Sequence, residues 1–279
     1  MSGAPFILST LDPTLICHQI HGRALVGTVL LTGHRGKIGV ATETALTAAG
    51  FTVAGFDLAD GDDVRDIGGL VDRGRGASAI VHLAAMPNDD GPAKDVLDTN
   101  VFGTWTVLAA ADRLGVERVV VASSIHATGL FEDGRLPDYL PLDEQHPSYA
   151  RSAYSTSKLM VEATCESFTR ATGVATVCLR PPLVLEPRER ARLEDELAAS
   201  PLDWRWRSWC DVRDVAGAVV RSLQAALDGH HVLFVAAEDV LGDLSAAAIA
   251  EELGVEWRGG TSLIDTRAAQ RLLQWAPRY

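Results

Sequence analysis

From Val26 onward, short β-branched runs alternate with Ala- and Leu-rich stretches of helical period, and this alternation restricts the fold more than any other feature of the chain. Strands are predicted at Thr28–Thr32, Thr52–Phe56, Ala79–Leu83, Arg118–Ala122, Ala175–Leu179 and His231–Ala236. Helices are predicted over Ile38–Ala49, Val96–Leu114, Tyr154–Thr172 and Val215–Ala226, with Gly173 placed to end the third. Such a pattern belongs to a parallel sheet flanked by helices. Right-handed crossovers then give an α/β fold of Rossmann type, a doubly wound parallel sheet. Regularity weakens after Pro181, where a charged, Trp-rich stretch and the C-terminal residues are predicted to form a small substrate lobe over the sheet's C-terminal edge.

The first predicted strand runs into "TGHRGKIG", with glycines 33, 36 and 39 spaced by three. Glycines between a strand and a helix serve two purposes: a tight turn, or close approach of a pyrophosphate to the backbone. In the second reading Gly33 makes the turn, Gly36 admits the phosphates and Gly39 lets the helix pack on the strand. The free N–H groups and positive dipole end of the helix starting at Lys37 and Ile38 then face the anion. Asp57 ends the second strand 24 residues beyond Gly33, the place of the acid that bonds ribose hydroxyls in dinucleotide sites. Its charge favours NAD, whereas Arg35 inside the glycine loop keeps NADP open.

Bulk properties set limits on the rest. The chain has 279 residues, 47% hydrophobic, enough for a packed core. A formal charge of -12 argues against a nucleic-acid or anionic-membrane partner, since either needs a basic face. Cys17, Cys165, Cys178 and Cys210 are scattered and form no C-x-x-C pair, which suits a reducing cytoplasm better than an oxidising compartment. No apolar run approaches the ~20 residues that span a bilayer, and no signal-peptide pattern opens the chain, so a cytoplasmic location is expected. Residues 1–24 read as an N-terminal extension; His18 and His21 within it lack acidic or thiolate company, and no metal site is expected anywhere.

Two further segments carry chemistry. "VVVASSIHATG" places Ser123 and Ser124 after a strand, and "YSTSK" places Tyr154 and Lys158 one helical turn apart on one face. A neighbouring ammonium favours the phenolate, so Lys158 is expected to lower the Tyr154 pKa and make it an acid/base near neutral pH. With Ser124 sharing the substrate oxygen, the set would take a proton from a secondary alcohol.

In this order the motifs resemble the extended short-chain dehydrogenase/reductases, in particular the NAD-dependent epimerase/dehydratase branch, from about Val26 to the C-terminus. "TGHRGKIG" resembles its T-G-x-x-G-x-x-G, and "GDDVRD" the segment whose Asp and next apolar residue, here Asp63 and Val64, contact adenine. "VHLAA", with Leu83, Ala84 and Ala85, resembles the strand lining the cofactor, and "NVFGT" the helix with Asn100 behind the site. "LRPP" resembles the strand ending beside the nicotinamide at Pro181, and "RSWCDVRDVA" the segment whose Arg, here Arg207, grips a substrate diphosphate. The resemblance implies catalytic residues Ser124, Tyr154 and Lys158, the last two also holding the cofactor, and a substrate site including Ser124, Ile125, His126 and Arg207. Leu183 and Ile125 occupy positions where relatives carry an Asn.

The implied activity is NAD-dependent oxidation of a secondary hydroxyl on a sugar or nucleotide sugar, ending as a dehydrogenase or an epimerase. An uronate-type dehydrogenase acting on a free sugar acid and a catalytically silent dinucleotide-binding protein are the alternatives. The implied division is a cofactor-binding domain over 25–180 and a lobe with closing elements over 181–279. The branch also implies a homodimer through the Y-x-x-x-K helix and its neighbour. Trp204, Trp206 and Trp209 are candidates for stacking on a ligand or for covering the lobe.

Overall fold

A computed structural model of the chain describes residues 27–131, 134–199 and 203–279. The N-terminal extension, with Cys17, His18 and His21, lies outside the described residues.

The Rossmann half runs β1 (Thr28–Thr32), α1 (Lys37–Ala48), β2 (Thr52–Phe56), α2 (Ile67–Arg73) and β3 (Ala77–His82). It continues through α3 (Ala93–Leu97), α4 (Gly103–Leu114), β4 (Arg118–Ala122), the two-residue β5 (Tyr139–Leu140), α5 (Ala153–Thr172) and β6 (Ala175–Arg180). Beyond it lie β7 (Leu183–Leu185), α6 (Pro187–Ala199), β8 (Trp209–Asp211), α7 (Val212–Gln224), β9 (His230–Phe234), α8 (Ala246–Leu253), β10 (Glu256–Trp257) and α9 (Arg267–Leu273). Among the described residues β2-β1-β3-β4-β6-β9 form one sheet in that order, parallel throughout.

Alternate residues of these strands bury opposite faces. Val29, Leu31, Ala79, Val81, Val120, Val177 and Leu233 pack with Val219 and Leu223 of α7, while Leu30, Ile80, Val119, Val121 and Cys178 pack with Val107 and Ala111 of α4 and Val161 of α5. Each fully buried Val or Leu contributes about 1.5–3 kcal/mol, which is why both faces must be covered. The predicted strands and helices stand, with ends moved by a residue or a few.

One predicted helix is interrupted. The span Val96–Leu114 is α3, a π turn over Asp98–Phe102, and α4. The extra residue per turn brings Asn100 inside, where it is 1% exposed.

After Pro181 the chain builds the lobe and also returns to the sheet. α7 packs on α1 and β9 closes the sheet beside β6. The lobe comprises β7 paired with β8, β10 paired with β5, α6 and α8. Its core joins Ile125, Leu130, Leu140, Trp204, Phe234, Ile249 and Leu263, so residues before 181 are part of it. No helix among the described residues is long and apolar enough to cross a membrane.

Candidate active site at the C-terminal edge of the sheet

The sheet changes winding direction between β1 and β3, and the glycine loop lies at that crevice. Gly33 has φ +73°, and a Cβ there would fall 2.5 Å from the Ala84 amide nitrogen; a Cβ on Gly39 would fall 2.1 Å from the Gly33 carbonyl oxygen. Both glycines are therefore required by the packing of the loop itself. Gly36 caps α1 without a side-chain bond, no acid stands in the first turn, and the first i→i−4 bond is Val40 N to the Gly36 carbonyl at 3.0 Å. Backbone donors at Lys37 and Ile38 thus face outward in a cradle suited to a phosphate.

Asp57 follows β2 and accepts from Arg35 N and Ala59 N, each at 2.9 Å, which fixes its carboxylate beside the glycine loop. The Arg35 guanidinium is bound by Asp60 at 3.0 Å, and His34 Nε2 meets the same carboxylate at 2.8 Å. Hydrogen bonds from Arg35 and then His34 hold Asp60 below the usual carboxylate range. The Lys37 ammonium lies on Glu189 at 2.7 Å and on the Val184 carbonyl at 3.2 Å, so its side chain ties the loop to the lobe. Asp63 is engaged by Arg65 at 2.9 Å, and Val64 is buried against Gly103, where a Cβ would lie 2.9 Å from Val64 Cγ2. Ile38, Leu83, Ala122, Leu179 and Pro181 line one apolar cleft, while Ala84 and Ala85 follow half-buried in the loop after β3.

Asn100 joins that loop to α5. It accepts from Met86 N at 2.8 Å through Oδ1, donates to the Met86 carbonyl at 3.0 Å, and donates to Ser157 Oγ at 2.9 Å. Beneath it His82 sits between Thr32 (2.7 Å) and Thr104 (3.1 Å), its pKa pushed down to about 3 by burial.

Ser124, Tyr154 and Lys158 converge from β4 and α5, all less than a tenth exposed. Ser124 ends β4's extension and caps the turn Ile125–Thr128 by accepting from His126 N at 3.2 Å, and it lines the same cavity as Tyr154. Ser152 caps α5, so Tyr154 and Lys158 lie in its first two turns. Lys158 Nζ donates to the Ala122 carbonyl at 2.9 Å and is 5.6 Å from the Tyr154 ring centroid. The expected lowering of the Tyr154 pKa is not found: burial pushes it up, against a smaller downward pull from the nearby Ser124 hydroxyl and with a further upward one from Asp89. Burial acts on the lysine as well, lowering its pKa to about 8. Below this pair, Glu162 receives a two-pronged bond from Arg180 (2.7 Å each) and one from Ser123 Oγ (2.5 Å), bracing the strand that carries Ser124 against α5.

The phenol opens on a cavity of about 400 Å³ lined by Asn88, Asp89, Ser124, Ile125, His126, Phe131, Leu183, Arg205 and Trp206, among others. The His126 ring meets Tyr154 edge-on at 5.3 Å and Phe131 at 4.8 Å, while Ile125 is buried behind it with its N–H on the Pro181 carbonyl. Arg207 is not in this lining. It is 7% exposed, donates through Nη1 to the Leu241 carbonyl at 3.0 Å and abuts Gly242, and with Arg205 it lines a second cavity of about 350 Å³. Trp204 and Trp209 are buried in the lobe, and Trp206 is 45% exposed on the cavity lining. Sequence reading missed Asp89, which accepts from Tyr154 N at 2.7 Å, and Arg205; for the latter the signal was D-x-R, since Asp203 caps the turn and grips the arginine two residues on.

The model of the family described as "NAD dependent epimerase/dehydratase family" matches residues 29–236. The chain belongs to the NAD-dependent epimerase/dehydratase family. Similar proteins include the L-arabinose 1-dehydrogenase (NAD(P)(+)) of Haloferax volcanii, 29% identical over 175 residues, 59% of this chain and 67% of that protein. The UDP-glucose 4-epimerase of Rhizobium meliloti is 31% identical over 170 residues, 54% of this chain and 50% of that one. The alignments therefore span about half to two thirds of these relatives' own lengths. Among solved structures, MoeE5 in complex with UDP-glucuronic acid and NAD is 25% identical, with a TM-score of 0.68 over 91% of this chain and 94% of that one.

Proposed function

We infer that this member of the family is an NAD-dependent oxidoreductase that acts on a secondary hydroxyl of a sugar or nucleotide sugar, with Ser124, Tyr154 and Lys158 as its catalytic residues. The observation that carries this reading is the convergence of Ser124 and Tyr154 on one cavity, with Lys158 buried one helical turn from the phenol.

The residues around the glycine loop fit NAD. The Lys37 and Ile38 amides would receive the pyrophosphate, Asp57 the adenosine ribose, and Asp63 with Val64 would flank the adenine. Leu83, Ala84, Ala85 and Pro181 would line the nicotinamide side, Asn100 supporting their loop. Arg35 bound to Asp60 favours NAD, because a 2′-phosphate would have to displace that carboxylate and face Asp57. When bound, the nicotinamide supplies the hydride acceptor.

In the protein, Tyr154 Oη takes the proton of the substrate hydroxyl and Ser124 Oγ donates to the same oxygen. Lys158 holds a positive charge behind the phenol and favours its ionised form, opposing the burial that raises its pKa. Tyr154→Phe tests the reading. Turnover of sugar substrates is expected to fall by about 10²–10⁴-fold with NAD binding retained. Full turnover in that variant would overturn the assignment of Tyr154, whereas a wild type that binds NAD and turns over no sugar would leave the silent dinucleotide-binding reading.

The same reading includes a homodimer. Phe102, Trp105, Leu159 and Met160 are exposed on the neighbouring α4 and α5 segment, an apolar surface suited to a second copy.

A further inference from the structure

Resting on the catalytic reading above, we propose that Arg205 is the specificity residue of the substrate cavity, binding an oxyanion on a free sugar, and that the substrate is therefore not a nucleotide sugar gripped at its diphosphate. Among the described residues lining the cavity, Arg205 is the one Lys or Arg, in a chain with formal charge -12. It is already aimed: Asp203 receives its Nε at 2.8 Å and its Nη2, while the Asp203 carboxylate also caps the turn through Arg205 N at 3.0 Å. That side-on pairing holds one edge of the guanidinium and leaves the Nη1 edge for a second oxyanion, the geometry in which arginine binds carboxylate or phosphate. Trp206, 45% exposed, and Phe131 stand on the same cavity and offer apolar faces to a sugar ring.

The position that the family motif assigns to diphosphate binding is spent elsewhere. Arg207 is buried in the lobe on the Leu241 carbonyl, against Gly242. The cavity at Tyr154, about 400 Å³, lies at the low end of ligand pockets and holds a monosaccharide with one anionic substituent. Asp89, which accepts from Tyr154 N at 2.7 Å, lines the same cavity, and its charge turns an anionic substituent away from the start of the Tyr154 helix and toward Arg205.

The test uses the full chain with NAD and four probes: a hexuronate, the neutral aldose of the same configuration, its 6-phosphate, and the UDP-hexose. Wild type is expected to prefer the hexuronate or the 6-phosphate over the neutral aldose. Arg205→Met is expected to shrink that kcat/KM ratio by on the order of 30-fold, chiefly through KM, with Arg205→Lys intermediate. The larger loss, on the uronate or on the phosphate, identifies the anion. An unchanged ratio overturns the proposal, as does turnover confined to the UDP-hexose. If no probe is turned over, thermal shift separates the two readings. A uronate or sugar phosphate that raises the melting temperature of wild type and not of Arg205→Met upholds the anion site while the catalytic reading falls; a shift in neither or in both overturns the site.

Discussion

At the level of single residues, the catalytic phenol and ammonium do not simply help each other. Both are buried, and burial penalises the charged form of each, raising Tyr154 and lowering Lys158 to about 8. Oxidation needs the Tyr154 phenolate beside the Lys158 ammonium, a state one proton short of the fully protonated pair, so kcat/KM is expected to rise as pH rises through about 8, where the pair loses its first proton. Other charged or titratable groups near the lysine are Glu162 on its own helix, Cys178 on β6 and His82 on β3, of which His82 is neutral and the first two oppose the lowering. Lys158→Arg keeps its charge throughout, so its pH–rate profile should lose the limb near 8 and rise only where Tyr154, raised by burial, ionises. A limb unmoved in that variant would assign it to another group.

At the level of elements, the π turn is the feature that joins cofactor loop to catalytic helix. A regular helix over Val96–Leu114 would rotate Asn100 out of the position from which it serves Met86 and Ser157 together. Asn100→Ala removes three hydrogen bonds and leaves the Met86 amide and carbonyl short of partners. The expected cost is about 2–4 kcal/mol of stability, read as a lowered urea midpoint, together with a weaker grip on NAD. Asn100→Asp restores the Met86 N–H bond only and should fall between.

For the molecule as a whole, the apolar surface formed by Phe102, Trp105, Leu159 and Met160 predicts a dimer whose contact lies behind each catalytic helix. Trp105→Glu, at a position 56% exposed, should leave the fold intact and shift the protein to monomer in sedimentation velocity. A wild type that is monomeric at micromolar concentration would remove this interface. A net negative charge, formally -12, works against association through other faces.

The parallel sheet, its helices and the placing of Tyr154 and Lys158 on one helix were legible in the sequence because each depends on local period or short spacing: apolar runs for strands, i, i+4 for phenol and lysine, three-residue steps for glycines. Gly33 and Gly39 belong to the same class, although the contact that demands Gly33, with the Ala84 amide, joins residues 51 apart. What depends on long-range packing was not legible. The sign of the Tyr154 shift follows from burial, which no spacing encodes. The lobe elements β7, β8, α6, α8 and β10 were unread because their strands are two or three residues long and carry no period. The choice between Arg205 and Arg207 turned on contacts far along the chain, since Arg207 is held by the Leu241 carbonyl and Arg205 lines the cavity of Tyr154, so the motif named a position and the tertiary structure decided which arginine lines that cavity.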